Sequence, residues 1–331
     1  MYDGYAHTDM KTLLYDLKAL VKSHMDGSRS TNLKGLKTLK RGVLSATNTI
    51  FPAISFFPSQ ETLSGYRNGG LYRVDRSVNI ELYVKQPKPT DSMEYLQELA
   101  HYVTDMFEES YDAWQFPNQD GEATIFSYSP LSIQYESLES RDQIIQSAVL
   151  PMVFSSWEQA PTFTTYNTIT ESDLRTIGEY VHDFMRTDAA LGGKAKFFFS
   201  SAYPPIQVGQ GVIVATIENV CDSTRREAGR LNPNSIIEIV VWTKASPFEG
   251  ALDLNLEVVE LIKDTIQANP NLNGKCSRSY FTNIQYGINQ QAVLYASKLE
   301  LETWSYKTMT QDTAPTEPHS VFIEDEDGSL V

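Results

Sequence analysis

Residues 283–304 read NIQYGINQQAVLYASKLELETW, and residues 132–157 read SIQYESLESRDQIIQSAVLPMVFSSW. In the later stretch Val293, Tyr295, Leu299 and Leu301 alternate with Lys298, Glu300 and Glu302, the period of a strand with one face in a core. Both stretches open on Ile-Gln-Tyr, at Ile133-Gln134-Tyr135 and Ile284-Gln285-Tyr286, and both close on a tryptophan, Trp157 and Trp304. A shared tripeptide alone is weak. Two upstream anchors recur in the same order: FPAI from Phe51 with YPPI from Tyr203, and IELYVK from Ile80 with IEIVVWTK from Ile237. Paired positions stand 152, 157, 151 and 147 residues apart, the pattern of a duplicated domain whose loops have drifted.

Each half opens with an amphipathic helix. Leu13, Leu14, Leu17, Leu20 and Val21 form one stripe; Leu174, Ile177, Val181 and Phe184 form the other, after a capping-box-like start at Thr170 and Asp173. Extended segments at 53–58 and 205–217 follow. In the next strand Val78, Ile80, Leu82 and Val84 alternate with polar residues, and 235–243 repeats the design with a more apolar second face. A long helix comes next in each half, carrying Leu96, Leu99, Val103, Met106 and Phe107, or Leu254, Val258, Leu261, Ile262 and Ile266; Asn269-Pro270 stops the second. Strand pairs close both halves, with Pro151 predicting an edge or a bulge in the first. The sequence therefore predicts an α+β fold of two tandem α-β-β-α-β-β domains, each a small mixed or antiparallel sheet packed with helices. The expected boundaries are 1–157 for the first domain, 158–168 for a short linker, 169–310 for the second domain, and 311–331 for a flexible acidic tail bearing Glu324 to Asp327.

The 331 residues give room for two cores, with 41% hydrophobic residues. No apolar run of membrane-spanning length appears, and charges at Asp3, Asp9, Lys11, Asp16 and Lys18 leave no signal-peptide block, so a soluble protein with no membrane partner is expected. Cys221 and Cys276 stand apart, as reduced thiols do. A net charge of −15 argues against general nucleic-acid binding. The exception is SRSTNLKGLKTLKR at 28–41, where Arg29, Lys34, Lys37, Lys40 and Arg41 occur without an acid. It reads either as a solvated connector or as a surface facing DNA or an acidic partner.

Chemistry-bearing motifs are sparse. The histidines His7, His24, His101, His182 and His319 have no metal-ligand spacing, so no metal is expected. GYRNGG at 65–70 and GQG at 209–211 do not open helices, which argues against a phosphate cradle and leaves no cofactor implied. Asp105, Glu108 and Glu109 read as a solvated helix face, and Trp157 and Trp304 as core anchors of the closing strands. An enzyme and a nucleic-acid-binding adaptor are the alternatives of another class.

The order of elements, with aromatic-Pro-x-Ile entering the sheet, the I-E-L or I-E-I strand, the long helix, and IQY leading to a closing strand such as KLELETW, resembles the tail terminator and tail-completion proteins of tailed bacteriophages. The resemblance covers 10–157 and 165–309. It implies a virion protein of the tail or neck, assembled in the host cytoplasm, that forms a ring on the tail tube, ends its growth and docks the head. The implied partners are other copies of itself (a hexamer, or a trimer imitating one), tube and sheath proteins, and head-tail connector proteins, with DNA only as passing cargo. A neck or connector protein is the alternative within that class. Here the tandem duplication departs from the single-copy pattern. Loops at 59–76 and 209–234, which hold Arg67, Arg73, Arg225, Arg226 and Arg230, are expected to grip neighbouring subunits.

Overall fold

The computed structural model describes residues 9–25, 33–42, 44, 49–64, 71–85, 89–110, 127–130, 132–140, 143–159, 174–200, 211–218, 223–227, 230–245, 248–289, 294–304 and 307–308. Helix α1 (Met10–Met25) starts where Asp9 accepts the Thr12 amide at 2.6 Å, an N-cap, and it buries Met10, Leu13, Leu14, Leu17 and Val21. Strands β1 (Thr38–Arg41), β2 (Ala53–Ser64) and β3 (Leu71–Val84) follow, then helix α2 (Pro89–Glu109). Strands β4 (Ser127–Pro130), β5 (Gln134–Ser140) and β6 (Gln143–Gln159) complete the first half. The second half runs α3 (Leu174–Thr187), β7 (Ala195–Ser200), β8 (Gly211–Glu218), β9 (Ser223–Glu227), β10 (Arg230–Lys244), α4 (Phe248–Gln267), β11 (Arg278–Asn289), β12 (Leu294–Trp304) and β13 (Lys307–Thr308). Beyond α4 the chain turns back through Leu272, Asn273 and Gly274, which stand at φ of 48°, 54° and 85°, the left-handed region that breaks a helix.

All strands of the described residues belong to one 13-stranded sheet, antiparallel except for β1 beside β2 and β7 beside β8. Its order is β4-β6-β3-β2-β11-β12-β10-β8-β7, with β5 next to β4 along β6, and with β9 and β13 beside β10. Two small separate sheets are therefore not what forms. Strand β1 covers β2 only from Ala53 to Phe56; further along, β2 pairs with β11, so the ladders of the two halves run into each other. Joining these edges satisfies backbone groups that two separate sheets would leave open.

The helices share one face. In β3 the buried residues are Tyr72, Val74, Arg76, Val78, Ile80, Leu82 and Val84, and in β12 they are Tyr295, Ser297, Leu299, Leu301 and Thr303. The register carries this face across the seam, from Arg76 opposite Glu61, to Glu61 opposite Ile284, to Ile284 opposite Leu299. The first core packs α1, α2 and the start of α4 on β2, β3 and β6; the second packs α3 and α4 on β8, β10, β11 and β12.

Several sequence expectations change. Much of the loops expected at 59–76 and 209–234 is strand, because β2, β3, β8, β9 and β10 continue through them. Trp157 and Trp304 are half-buried and alternate with the core-facing residues, so they lie on the face away from the helices and do not anchor a core. Trp304 donates to Glu302 at 2.7 Å, and the Arg278 guanidinium lies 5.3 Å from its ring centre. Pro151 sits in an interior strand, at the point where four steps along the edge, Pro130 to Gln134, face three along β6, Met152 to Val149. A residue without an N–H suits such a break in the ladder. Trp157 faces Arg73 and Trp304 faces Asn234, so by ladder position Ile80 corresponds to Val241 and not to Ile237, a shift of four residues that keeps the same face. The expected tail at 311–331 and the part of the linker beyond Gln159 lie outside the described residues.

Candidate functional site: the seam and the edges

Where the halves meet, Gln60, Glu61 and Thr62 of β2 pair with Gln285, Ile284 and Asn283 of β11. On the outer face the Gln60 side-chain amide donates to Asn283 Oδ1 at 2.9 Å. On the helix face, the same short pairing places Glu61 under α4. Lys263 donates from α4 to Glu61 Oε1 at 2.6 Å and to Glu260 Oε2 at 3.1 Å. Arg76 of β3 approaches Glu61 at 3.3 Å through Nε, donates to Ser156 Oγ at 2.7 Å, and is bonded to Glu158 of β6. Tyr72 donates to the other Glu158 oxygen at 3.0 Å.

The Lys263 and Glu61 side chains are 0% exposed, and those of Arg76 and Glu158 are 1% exposed. Burial alone would depress the Lys263 ammonium, but Glu260, Glu61 and Glu158 outweigh it and hold it well above the ordinary range. Arg76 is raised in the same way, with burial opposed by Glu158 and Glu61. The phenol of Tyr286, next along β11, is raised by burial and then by the Glu61 charge. This network spans β2, β3 and β6 of one half and α4 of the other. A one-residue slip of β2 would turn Glu61 to the opposite face and leave the buried Lys263 with Glu260 alone. Its physical effect is to hold the halves in one register.

A second bridge ties Arg41, at the end of β1, to Asp253 in α4; one of its two bonds is 3.0 Å. The guanidinium lies 3.6 Å from the Tyr15 ring centre, and the Tyr15 hydroxyl donates to the same carboxylate at 3.1 Å. Arg41 therefore leaves the basic surface expected at 28–41. Lys34 and Lys37 are exposed, Lys40 is half-buried in β1, and Arg29 lies outside the described residues.

Of the arginines expected to grip neighbours, Arg67 lies outside the described residues, and Arg73 is a strand residue paired with Asp75 at 2.7 Å and Ser155 at 3.1 Å. Arg225 and Arg226 fall on β9, and Arg230 begins β10. The seam residues Glu61, Arg76, Glu158 and Lys263 escaped the sequence reading. One signal was present: Arg76 takes a core-facing turn in the alternation between Val74 and Val78.

Among the described residues, no group of three or more His, Cys, Asp or Glu side chains is placed to hold a metal ion, and no helix is long and apolar enough to cross a membrane. No protein-family model matches the chain, and no curated protein matches it. Among solved structures, the chain is similar to a chain of the virion of a native gene transfer agent particle, at 17% identity and a TM-score of 0.29, over 40% of this chain and 95% of that one.

Proposed function

We propose that the protein is a structural component of a tailed-phage-like virion, built from two copies of one unit. It forms a ring at the head-proximal end of the tail tube, ending tail growth and joining tail to head. The observation that carries the assembly part of this reading is the single sheet with two unlike ends. In the first half the order across the sheet is β1-β2-β3-β6-β5; in the second it is β7-β8-β10-β12-β11, the same succession in element order. The units are joined by unlike edges, β2 to β11, so the whole chain again presents unlike edges at its two ends. Such an object associates head to tail, and head-to-tail contacts close into rings when the rotation permits. The sequence resemblance to tail terminators supplies the place in the particle.

The exposed Lys34 and Lys37 are kept in this reading as a partner-facing or DNA-facing pair, without Arg41. The test is removal of the gene from a producing strain, followed by electron microscopy. Tails of uncontrolled length that fail to join heads are expected. Normal particles, or particles that never contained the protein, would overturn the assignment.

A further inference from the structure

His182 lies on α3 where that helix meets β7, the last strand at the second-half end of the sheet. Side chains alternate along β7: Phe197 packs on the second core, whereas Phe198 faces away from it and is 43% exposed. The His182 ring lies beside the two inward rings, its centre 6.3 Å from that of Phe197 at 82° and 5.7 Å from that of Phe199 at 58°. Between them the Phe198 backbone accepts a hydrogen bond from the imidazole. The Nδ1 atom is buried and has no hydrogen-bond partner among the described residues. A neutral imidazole carries one N–H and one lone pair, so one acceptor serves it. The imidazolium would place a second N–H at Nδ1, beside aromatic rings and without an acceptor, which is costly.

The surrounding charges do not offset this. Asp183 and Arg186, both on α3, act on the ring in opposite senses, Asp183 toward the charged form and Arg186 toward the neutral one. Burial is the largest influence, and the pKa is lowered. Lys196 of β7 alternates with Phe197 and falls on the opposite face of the strand. Strand β8 turns Val212 and Val214 toward the second core. Lys194, in the turn before β7, is bonded to Glu257 of α4, and the contact of α3 with the turn after α4 is made by the uncharged pair Tyr180 and Asn273.

We propose that His182 is an acid-sensitive clamp on this end of the sheet: neutral, it holds β7 against α3, and its protonation loosens that contact while the rest of the sheet stays closed. The opening is local because β7 has β8 as its one strand neighbour among the described residues, and terminal elements open at lower free energy than interior ones. With a folded pKa below the unfolded one, the contribution of His182 is complete above the unfolded value and is lost as pH falls through the folded one. The clamp does not depend on the virion role.

Two measurements on the full chain test it between about pH 8 and about pH 5, the range in which an imidazole titrates. Nuclear magnetic resonance follows the His182 ring, identified as the imidazole signal missing from His182→Gln, and its midpoint is expected below the ordinary value of about 6.5. Hydrogen exchange, corrected for its intrinsic pH dependence, should show the amides of 195–200 losing protection over the same range while those of β3 and β6 keep theirs. The loss should approach about tenfold for each unit by which the midpoint is lowered, since both report one proton equilibrium. His182→Gln and His182→Phe cannot take the proton, so either variant should hold β7 protection constant with pH, and the second serves if the first packs badly. A midpoint at or above about 6.5 would overturn the clamp, because the site would then favour the charged ring. So would β7 protection that stays constant in wild type, or that falls with pH as steeply in the variants.

Discussion

Replacing Lys263 by Met keeps most of the apolar stem and removes the charge that holds Glu61 under α4. Glu61 would then remain 0% exposed with one cation, the Arg76 Nε at 3.3 Å, while Arg76 is already engaged by Glu158. Removing one partner of a buried ion pair costs about 3–5 kcal/mol, a large share of a total stability of about 5–15 kcal/mol. The companion change is Glu61→Gln. In the double variant both charges are gone, Arg76 and Glu158 still balance, and Glu260, at 17% exposure, can turn toward water. The double variant should therefore recover most of the loss and come within about 1–2 kcal/mol of wild type. Urea unfolding of the four proteins, followed by tryptophan fluorescence and by circular dichroism, gives the cycle. A Lys263→Met cost under about 1 kcal/mol would refute the argument, as would a double variant that costs the sum of the singles. Either result would mean that the ladder and apolar packing hold the seam, and that the network is incidental to it.

The remaining predictions use the same physics. Arg41→Met should cost about 1.5–3 kcal/mol by thermal or urea unfolding, the range for hydrogen bonds to charged groups, whereas Lys34→Gln/Lys37→Gln should change stability by less than about 0.5 kcal/mol. Lys263, Tyr72 and Tyr286 all have folded pKa values raised above their unfolded ones, so their contribution is complete below the unfolded values and is lost as pH rises through the folded ones. A pH series should therefore show stability falling from about pH 10 upward, and Lys263→Met should flatten that fall. Burial pushes the Cys276 thiol up to about 12, so alkylation of this residue at neutral pH should track unfolding, read by mass spectrometry across a urea series. Cys276 labelling at full rate in native buffer would contradict its burial.

Periodicity made the helix-sheet packing legible before any coordinates. Leu13, Leu14, Leu17 and Val21 of α1, and Leu96, Leu99, Val103, Met106 and Phe107 of α2, are buried as their spacing requires. Val78, Ile80, Leu82 and Val84 of β3 are too. The period was less informative where charge entered a strand. Residues 71–76, Leu-Tyr-Arg-Val-Asp-Arg, looked like a polar loop because Arg76 masked the alternation, yet Arg76 is the core-facing member; its partners Glu61 and Glu158 lie 15 and 82 residues away in sequence, and Lys263, which shares Glu61, lies 187 residues away. No local rule connects those four positions. Likewise, a tripeptide repeated at Ile133 and Ile284 reveals similarity between two strands but not that one is covered by β2 and the other, among the described residues, has β6 as its one strand neighbour.

That difference separates a joint from an edge. At the internal seam, a short run of pairing from Gln60 to Thr62 is backed by a buried ionic network and by Arg41–Asp253 at the neighbouring helix contact. Buried charges add little net stability against an apolar equivalent, but they make every wrong register costly, so they suit a joint formed once during folding. A contact between chains has a different requirement: each edge must stay in water as a free subunit before it is covered. An edge with a buried-type ion network would strand that charge while unpaired, whereas half-exposed Ile133 and Tyr135 carry little such cost. The same tripeptide therefore sits in two settings: at Ile284 it is buried in a joint whose register is fixed by charge, and at Ile133 it lies on the surface with side chains that tolerate water.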